Sequence, residues 1–443
     1  MKPVMRIAPK RELSLFDSTS IIVGIIIGAG IYQMAPNIAK GAGCWWGVLA
    51  IWVAGGLISL FGALGYAELA TAYPREGGDY VYLSRAYGPW AGFLFGWGQL
   101  AIIRPGDIAV MAFAFATYVR TIYAPLADYD QRLYATAAVV VLTAINILGV
   151  KEGKWTQNIL TTVKALGLLA IVGVALFGPQ GAPKTPQAVE HFPLALALVF
   201  VLFTYGGWNE MAYVAAEVKE PRRNIVRALV LGAVVVTVLY LLVNGAFLYT
   251  LGYSGLANSE AVAAAAVSTA FPKIGGNLIG ALVCISALGA VSGLIFTGAR
   301  ISYALGEEHQ AFKLLGKWHA GTGTPAWALL TQGAIAVGLI LILGNFVDTL
   351  LYTAAPVYAF YFATSLSVIV LRRKEPAVER PYRVTGYPVT TIIFCAVCAF
   401  LIYKTVSYAW NVMPKALCLL EAVLLAGMLI YCATDLRRPA RPE

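Results

Sequence analysis

Two glycine-containing interruptions of long hydrophobic stretches carry the backbone groups of this chain that are best suited to hold a ligand. They are Gly28, Ala29 and Gly30 in IIVGIIIGAGIY (21–32), and Gly206 and Gly207 in a second apolar stretch (192–216). Small residues weaken a helix at mid-length, and inside a membrane broken backbone is tolerated only where it is buried or lines a cavity. Either stretch alone suits close helix packing equally well. Together they favour a binding site.

The chemistry of such breaks follows from the unpaired groups at helix ends. A half-helix that begins near Gly30 points free amides and the positive end of its dipole into the break, which suits a carboxylate. The half-helix that ends between Gly24 and Ile27, and the one that ends near Phe203, point unpaired carbonyls at the same region, which suits an ammonium group. Adjacent amides and carbonyls match the zwitterion of an α-amino acid.

The elements that position these breaks must be membrane helices. The 443 residues are 59% hydrophobic and only 12% charged, which does not suit a soluble globular domain. About twelve apolar stretches of about 20 residues recur along the chain. The net charge of +10 does not form one basic face, so nucleic acid is not expected as a partner. Most Lys and Arg fall in loops on one side, which predicts that both termini are cytoplasmic.

The order of the two interrupted stretches predicts the architecture. Spans one and six contain the breaks and are five spans apart, so two inverted five-span units are expected, at 14–177 and 192–371. Two further spans follow in 388–435. We therefore expect an all-α integral membrane protein of about twelve helices, with spans one and six discontinuous and residues 1–443 forming a single transporter domain.

Charges in or near membrane spans are costly and usually find partners, and partners can be suggested for four ionisable residues. Lys164 lies in the fifth span and should contact span one or span eight. Arg104 and Asp107 are one turn apart in the third span and are expected to pair. Glu68, near the inner end of the second span, is expected to brace the 74–85 loop.

Metal and redox chemistry find little support in the sequence. The three histidines, His191, His309 and His319, all fall in loops, and Cys395 and Cys398 form a CxxC spacing without a partner pair in a hydrophobic helix. We expect no metal site, no cofactor and no enzymatic activity.

Seven stretches, taken in order, resemble the amino acid–polyamine–organocation transporter superfamily, and within it the L-type amino acid transporters and their bacterial relatives. They are LFDSTSIIVGIIIGAGIY (15–32), GYAELATAYPREGGDYVYL (65–83), LAIIRPGDIAVMAFAFATYV (100–119), TTVKALGLLAIV around Lys164, FTYGGWNEMAYVAAEVKEPRRNI (203–225), SALGAVSGLIFTGARISYAL (286–305) and RPYRVTGYP (380–388). By this resemblance, the substrate carboxylate binds at Gly28, Ala29 and Gly30. Phe203 falls on the aromatic that gates the pocket from outside and lends its carbonyl to the amine.

The resemblance also bears on side-chain preference. Relatives that prefer cationic amino acids have an acidic residue at the position of Gly206, so glycine there favours neutral substrates. Glu210 departs from the aromatic residue often found at its position. It either reaches the pocket or pairs with a polar neighbour as a structural acid.

Lys164 takes, by the same resemblance, the place of a sodium ion in sodium-coupled relatives. It would link the fifth span to the first near Gly24 and to the eighth near Ser286. This implies sodium independence and a role in opening and closing; a static link is the alternative. Deprotonation of the buried lysine during the cycle would permit proton coupling.

The expected activity is sodium-independent transport of neutral L-amino acids by alternating access, as an exchanger in the bacterial inner membrane. A proton-coupled symporter and an exchanger that also accepts cationic amino acids are the alternatives. The heteromeric animal relatives carry a cysteine between spans three and four, and residues 120–132 contain none. We therefore expect a stand-alone protein without a disulfide-linked ancillary subunit.

Overall fold

The computed structural model describes residues 13–74, 77–122, 130–149, 154–178, 188–190, 192–209, 218–272, 275–319 and 321–434. In these ranges the named elements are all helices. Eight of them are long and apolar enough to cross a membrane, or nine spans if one bent pair is counted as a single span. Shorter apolar helices lie where spans four, five and six are predicted. The predicted all-α membrane fold is confirmed, while the number twelve and the inverted relation of the two units stay predictions.

The described residues between 13 and 178 form eight helices and one π-helical turn. The helices are α1 (Leu15–Ile26), α2 (Gly30–Ala42), α3 (Trp45–Ala72), α4 (Asp79–Tyr87), α5 (Pro89–Gly98), α6 (Arg104–Ile122), α7 (Gln131–Ile147) and α8 (Lys154–Phe177). The π-helical turn, Gln99–Ile103, joins α5 to α6 within one continuous span. Such turns interrupt the regular spacing of a helix and often occur at functional sites.

The described residues between 192 and 434 form eight further α-helices and a short 3-10 turn at Gln310–Phe312. The helices are α9 (Leu194–Thr204), α10 (Pro221–Ala257), α11 (Val262–Ala270), α12 (Gly275–Glu308), α13 (Ala326–Leu343), α14 (Phe346–Lys374), α15 (Val389–Val412) and α16 (Pro414–Thr434). Among them, α10 packs against α1, α2 and α3, whereas α12 packs along α6 and α14 along α15. The halves of the first interrupted helix, α1 and α2, therefore both pack on α10, while α9 packs mainly on α2 and α3.

The start of α1 is fixed by its sequence. The Ser14 side chain accepts a hydrogen bond from the Asp17 amide, and the Asp17 carboxylate accepts one from the Ser14 amide, which forms a capping box. An acidic residue in the first turn also suits the positive end of the helix dipole. We call the side of the membrane on which α1 begins the N-terminal face.

The segments that precede α1 and α10 are joined by main-chain bonds at the N-terminal face. Leu13, just before α1, forms a parallel bridge with Val218, just before α10. The Lys219 amide donates to the Leu13 carbonyl at 2.8 Å. These bonds connect the chain segments that lead into α1 and α10.

Glu68 takes different partners from those predicted. Its buried carboxylate, 2% exposed, accepts hydrogen bonds from Arg372 at 2.8 and 2.5 Å and from the Val384 amide at 2.7 Å. Arg380 lies 3.5 Å away. The expectation that Glu68 braces the 74–85 loop is therefore wrong. A buried carboxylate needs several donors, and the segment after α14 supplies them.

Glu375 joins α4 to the end of α14 instead. Its carboxylate accepts from the Arg85 guanidinium at 3.0 Å and from the Tyr73 hydroxyl at 2.9 Å. Partial burial raises the pKa of the Glu375 carboxyl, but the hydrogen bonds from Arg85 and Tyr73 outweigh burial and hold the pKa below its usual value. The carboxylate therefore stays charged and keeps its hydrogen bonds at neutral pH.

Candidate functional site

The first break separates α1 from α2 with a bend of 54°. The first amides of α2 that bond to preceding backbone are those of Tyr32 and Gln33, which donate to the Ala29 carbonyl at 3.2 and 3.1 Å. In the described part of the chain, the amides of Gly30 and Ile31 have no backbone acceptor. These amides stand at the positive end of the α2 dipole and are free to bind an anion.

The end of α1 presents the complementary groups. The Gly28 amide turns back to the Ile26 carbonyl at 2.8 Å instead of continuing the α-helical pattern. Among the described residues, the carbonyls of Gly24, Ile25 and Ile27 therefore accept no backbone hydrogen bond. Such carbonyls attract a cation.

The second break follows α9, where the chain turns at residues 205–207 into a short helical turn at Trp208 and Asn209. Gly207 has a φ of +108°, in the left-handed region that favours glycine. A Cβ at this position would lie 2.5 Å from the Cγ2 atom of Ile25. Gly207 therefore lets the second break touch the end of α1, and the two breaks meet.

The carbonyl of Phe203 is partly engaged, because the Gly206 amide donates to it at 2.9 Å. A carbonyl oxygen has two lone pairs, so one acceptor site remains for a ligand. A Cβ at Gly206 would lie 2.8 Å from this same oxygen. In this backbone conformation, a side chain at position 206 would therefore collide with the Phe203 carbonyl oxygen.

Tyr240, in the middle of α10, bridges the two breaks. Its buried hydroxyl donates to the Ile26 carbonyl at 2.8 Å and lies 3.3 Å from the Thr204 carbonyl. The rings of Trp52 and Tyr205 pack against it, with centroids 5.3 Å from its own. Sequence reasoning missed Tyr240, since a tyrosine in an unbroken apolar span carries no distinguishing pattern.

The breaks border a cavity of about 530 Å³, within the range of about 300 to 1,000 Å³ usual for small-ligand sites. Seven of the predicted site residues line it, namely Gly24, Gly28, Gly30, Lys164, Phe203, Gly206 and Gly207. Ile27, Ala29 and Ser286 have buried side chains and are not part of its lining. Glu210 lies outside the described residues. The structure thus brings both breaks and Lys164 to one cavity.

Four charged residues line the cavity in the described part of the chain: Asp79, Arg104, Asp107 and Lys164. Their formal charges sum to zero. Arg104 is 5% exposed and donates from Nε to the Gln99 side chain at 3.1 Å, across the π-helical turn. The predicted pairing of Arg104 with Asp107 stays a prediction.

Asp79 lines the cavity, although the sequence predicts only that it lies in the loop 74–85. Its carboxylate accepts hydrogen bonds from the hydroxyls of Tyr66 and Thr364 and is 2% exposed. The only available signal was the Gly77–Gly78 pair before it, where both residues have positive φ and turn α4 back towards the helix bundle.

The cavity extends towards the N-terminal face. Its lining includes Asp79 at the start of α4, Asn146 at the end of α7 and Thr297 in the second half of α12, all on that side. Towards the opposite face, the Tyr358 hydroxyl donates to the Val199 carbonyl at 2.9 Å, which joins α14 to α9. Contacts between helices thus separate the cavity from the opposite face.

Within the residues searched for such groups, no set of three or more His, Cys, Asp or Glu side chains is placed to hold a metal ion. The site consists of backbone amides, backbone carbonyls and a few charged side chains around a membrane cavity. Interrupted membrane helices whose free ends face a central cavity define the class of secondary transporters.

Comparison with known proteins agrees with this class. The sequence matches the amino acid permease family over residues 13–424. It is 31% identical to the b(0,+)-type amino acid transporter 1 of Mus musculus over 435 residues, which cover 95% of this chain and 88% of the relative. It is 32% identical to the large neutral amino acids transporter small subunit 2 of Oryctolagus cuniculus over 448 residues, which cover 96% and 80%.

The chain belongs to the amino acid permease family, a family of multi-pass membrane transporters and not of enzymes. The predicted membership of the amino acid–polyamine–organocation superfamily, and the similarity to L-type transporters, are confirmed. The roles of individual site residues stay predictions.

Proposed function

We propose that the protein exchanges neutral L-amino acids across the cytoplasmic membrane, without sodium, by alternating access. One observation supports this proposal most strongly: Gly30, whose amide has no backbone acceptor, and Gly24 and Ile25, whose carbonyls accept no backbone hydrogen bond in the described chain, line a single cavity. The amides suit the α-carboxylate and the carbonyls suit the α-ammonium. An amino acid would bind by its main chain at the breaks, with Phe203 contributing its remaining acceptor site.

The preference for neutral side chains rests on charge. The charged residues described in the cavity lining sum to zero, and position 206 is glycine, where an acid would be needed to balance a cationic side chain. A net charge on the substrate would be left without compensation in a site of low dielectric constant. The rabbit relative is a large neutral amino acids transporter small subunit, which supports the same substrate class.

Sodium independence rests on Lys164. Lys164 and Gly24 line the same cavity, and α8 packs against both α1 and α12. A fixed ammonium group in this position supplies the positive charge that a bound sodium ion would otherwise bring.

Alternating access would follow from rocking of the interrupted helices. The cavity reaches the N-terminal face, while contacts such as Tyr358 to Val199 close the opposite side. Substrate that bridges the two breaks would stabilise closure at the N-terminal face, and release of these contacts, with Phe203 as the gate, would open the other side. We place both termini in the cytoplasm of a bacterium, and we propose that the protein works without a disulfide-linked subunit.

Uptake of radiolabelled leucine or alanine into proteoliposomes tests the proposal. We expect uptake to require internal amino acid, to be unaffected by replacing sodium with choline, and to be poorly inhibited by arginine. Uptake that needs no internal substrate but collapses without a pH gradient would establish proton symport instead. Arginine that competes better than leucine or alanine would refute the neutral preference and direct attention to Glu210.

A further inference from the structure

Two glycines of α12 face open space in the cavity wall. A Cβ at Gly289 or at Gly293 would meet no heavy atom of the described chain within 4 Å, and both residues line the cavity. They are four residues apart and so share one helix face. They flank the midpoint of this 34-residue helix, at the depth where the breaks interrupt their own spans.

This open space lies where a substrate side chain must go. If the carboxylate and ammonium groups of an amino acid substrate bind at the breaks, its side chain points away from α1 and α9. Among the described residues, the glycine-bearing helix α12 packs mainly on α6, α11, α7 and α13 and has no extensive contact with α1 or α9, while all three helices contribute residues to the cavity lining. The lining that α12 contributes beside these glycines combines the apolar Ala290, Leu294 and Phe296 with the uncharged polar Ser292 and Thr297, which matches an uncharged side chain.

We infer that Gly289 and Gly293 set the upper size limit for the substrate side chain, and that the cavity accepts large apolar side chains such as those of leucine and phenylalanine. This rests on the proposed function. In a tightly fitted apolar pocket, added bulk excludes larger ligands before smaller ones, because the same volume cannot be shared.

The test replaces each glycine by leucine and compares substrates in proteoliposomes. For Gly289→Leu and Gly293→Leu, we expect the ratio of kcat/KM for leucine to that for alanine to fall about tenfold or more. Phenylalanine should be affected at least as strongly as leucine. Gly289→Ala and Gly293→Ala should shift the ratio in the same direction by a smaller factor.

Two other glycines provide matched controls. Gly245 in α10 and Gly338 in α13 are also helical positions where a Cβ would meet no described heavy atom within 4 Å, and neither lines the cavity. The variants Gly245→Leu and Gly338→Leu should keep the leucine-to-alanine ratio of the unmodified protein. Size-exclusion chromatography of all variants identifies those that fold.

Three results would overturn the inference. The first is an unchanged ratio in folded Gly289 and Gly293 variants, for which the alanine substitutions serve if the leucine ones do not fold. The second is a ratio that falls equally in the two controls. The third is an unmodified protein that transports alanine but excludes leucine and phenylalanine, which leaves the proposed function intact. Absence of any amino acid uptake by the unmodified protein would instead remove the proposed function itself.

Discussion

The Tyr240 hydroxyl donates to the Ile26 carbonyl at the end of α1 and lies within hydrogen-bond distance of the Thr204 carbonyl at the end of α9. Replacing Tyr240 by Phe removes this link while keeping the ring that packs on Trp52 and Tyr205. A net hydrogen bond contributes about 0.5 to 1.5 kcal/mol, so we expect the KM for substrate to change by about two- to tenfold. Initial uptake rates over a range of substrate concentrations measure the change.

The control for this variant is Tyr403→Phe in α15, where the side chain is exposed on the helix surface. That substitution should leave KM unchanged. If Tyr240→Phe shows the same kinetics as Tyr403→Phe, the hydroxyl does not help to shape the site.

Lys164 adds a positive charge to the cavity lining. Replacing it by Ala removes the only cation that α8 contributes to the cavity lining described here, so carbonyls near Gly24 lose a compensating charge. We expect uptake to fall by about tenfold or more. The surface lysine of α15, Lys404, provides the control, because its ammonium lies over Phe400 and Tyr403 at the outside of the helix. Near-normal turnover of Lys164→Ala would contradict a role in transport.

At this scale the sequence located the backbone groups better than the side chains. Gly28, Gly30 and Gly207 could be found because glycine within an apolar span is itself a signal. Asp79 could not, because its approach to the cavity depends on how the short helix α4 folds back after α3. No local pattern encodes such a long-range placement.

At the scale of elements, a network around Glu68 joins the end of α3 to the end of α14. Replacing Glu68 by Gln leaves Arg372 and Arg380 without a compensating charge in a buried position. Breaking a buried pair in this way costs about 3 kcal/mol or more. We expect a clearly lower unfolding temperature in detergent, measured by the loss of the monodisperse peak after heating.

A matched acid for comparison is Glu421, which is exposed on α16. Glu421→Gln should leave the unfolding temperature as it is. Equal behaviour of the two variants would show that the Glu68 network contributes nothing to stability.

The wrong prediction for Glu68 has a physical cause. The sequence suggests the nearest polar segment, 74–85, as the partner of Glu68. The groups that contact its carboxylate belong instead to Arg372, Arg380 and Val384, about 300 residues later. Periodicity and hydropathy locate helices but carry no information on which helix ends become neighbours. The π-helical turn before α6 escaped prediction for a similar reason, since its residues are as apolar as those of a regular helix.

For the whole molecule, a cavity that extends towards the N-terminal face predicts that solutes reach the site from that face only. Thr297 lies in its lining on the half of α12 nearer the N-terminal face. In a background in which the six free cysteines are replaced, Thr297→Cys should react with a membrane-impermeant maleimide added on that face. Saturating substrate should slow the reaction, because closure of the interrupted helices narrows the path.

Asn258→Cys gives the reference for the other side, since Asn258 follows α10 at the opposite face and is exposed. It should react only from that face, at a rate that does not depend on substrate. Labelling of Thr297→Cys from the opposite face alone would reverse the assignment of the open side. The sequence could not supply this assignment, because hydropathy is the same whichever side is open.

The bridge between Leu13 and Val218, with the Lys219 amide 2.8 Å from the Leu13 carbonyl, has a consequence for how this protein can evolve. The connection uses main-chain atoms alone, so it does not depend on the chemistry of particular side chains, although Leu13 and Val218 are buried and need apolar replacements. Proline at position 219 is the exception, because it removes the donor. Substitutions in the pocket therefore leave this connection between the segments before α1 and α10 in place, so substrate preference can diverge without loss of the link.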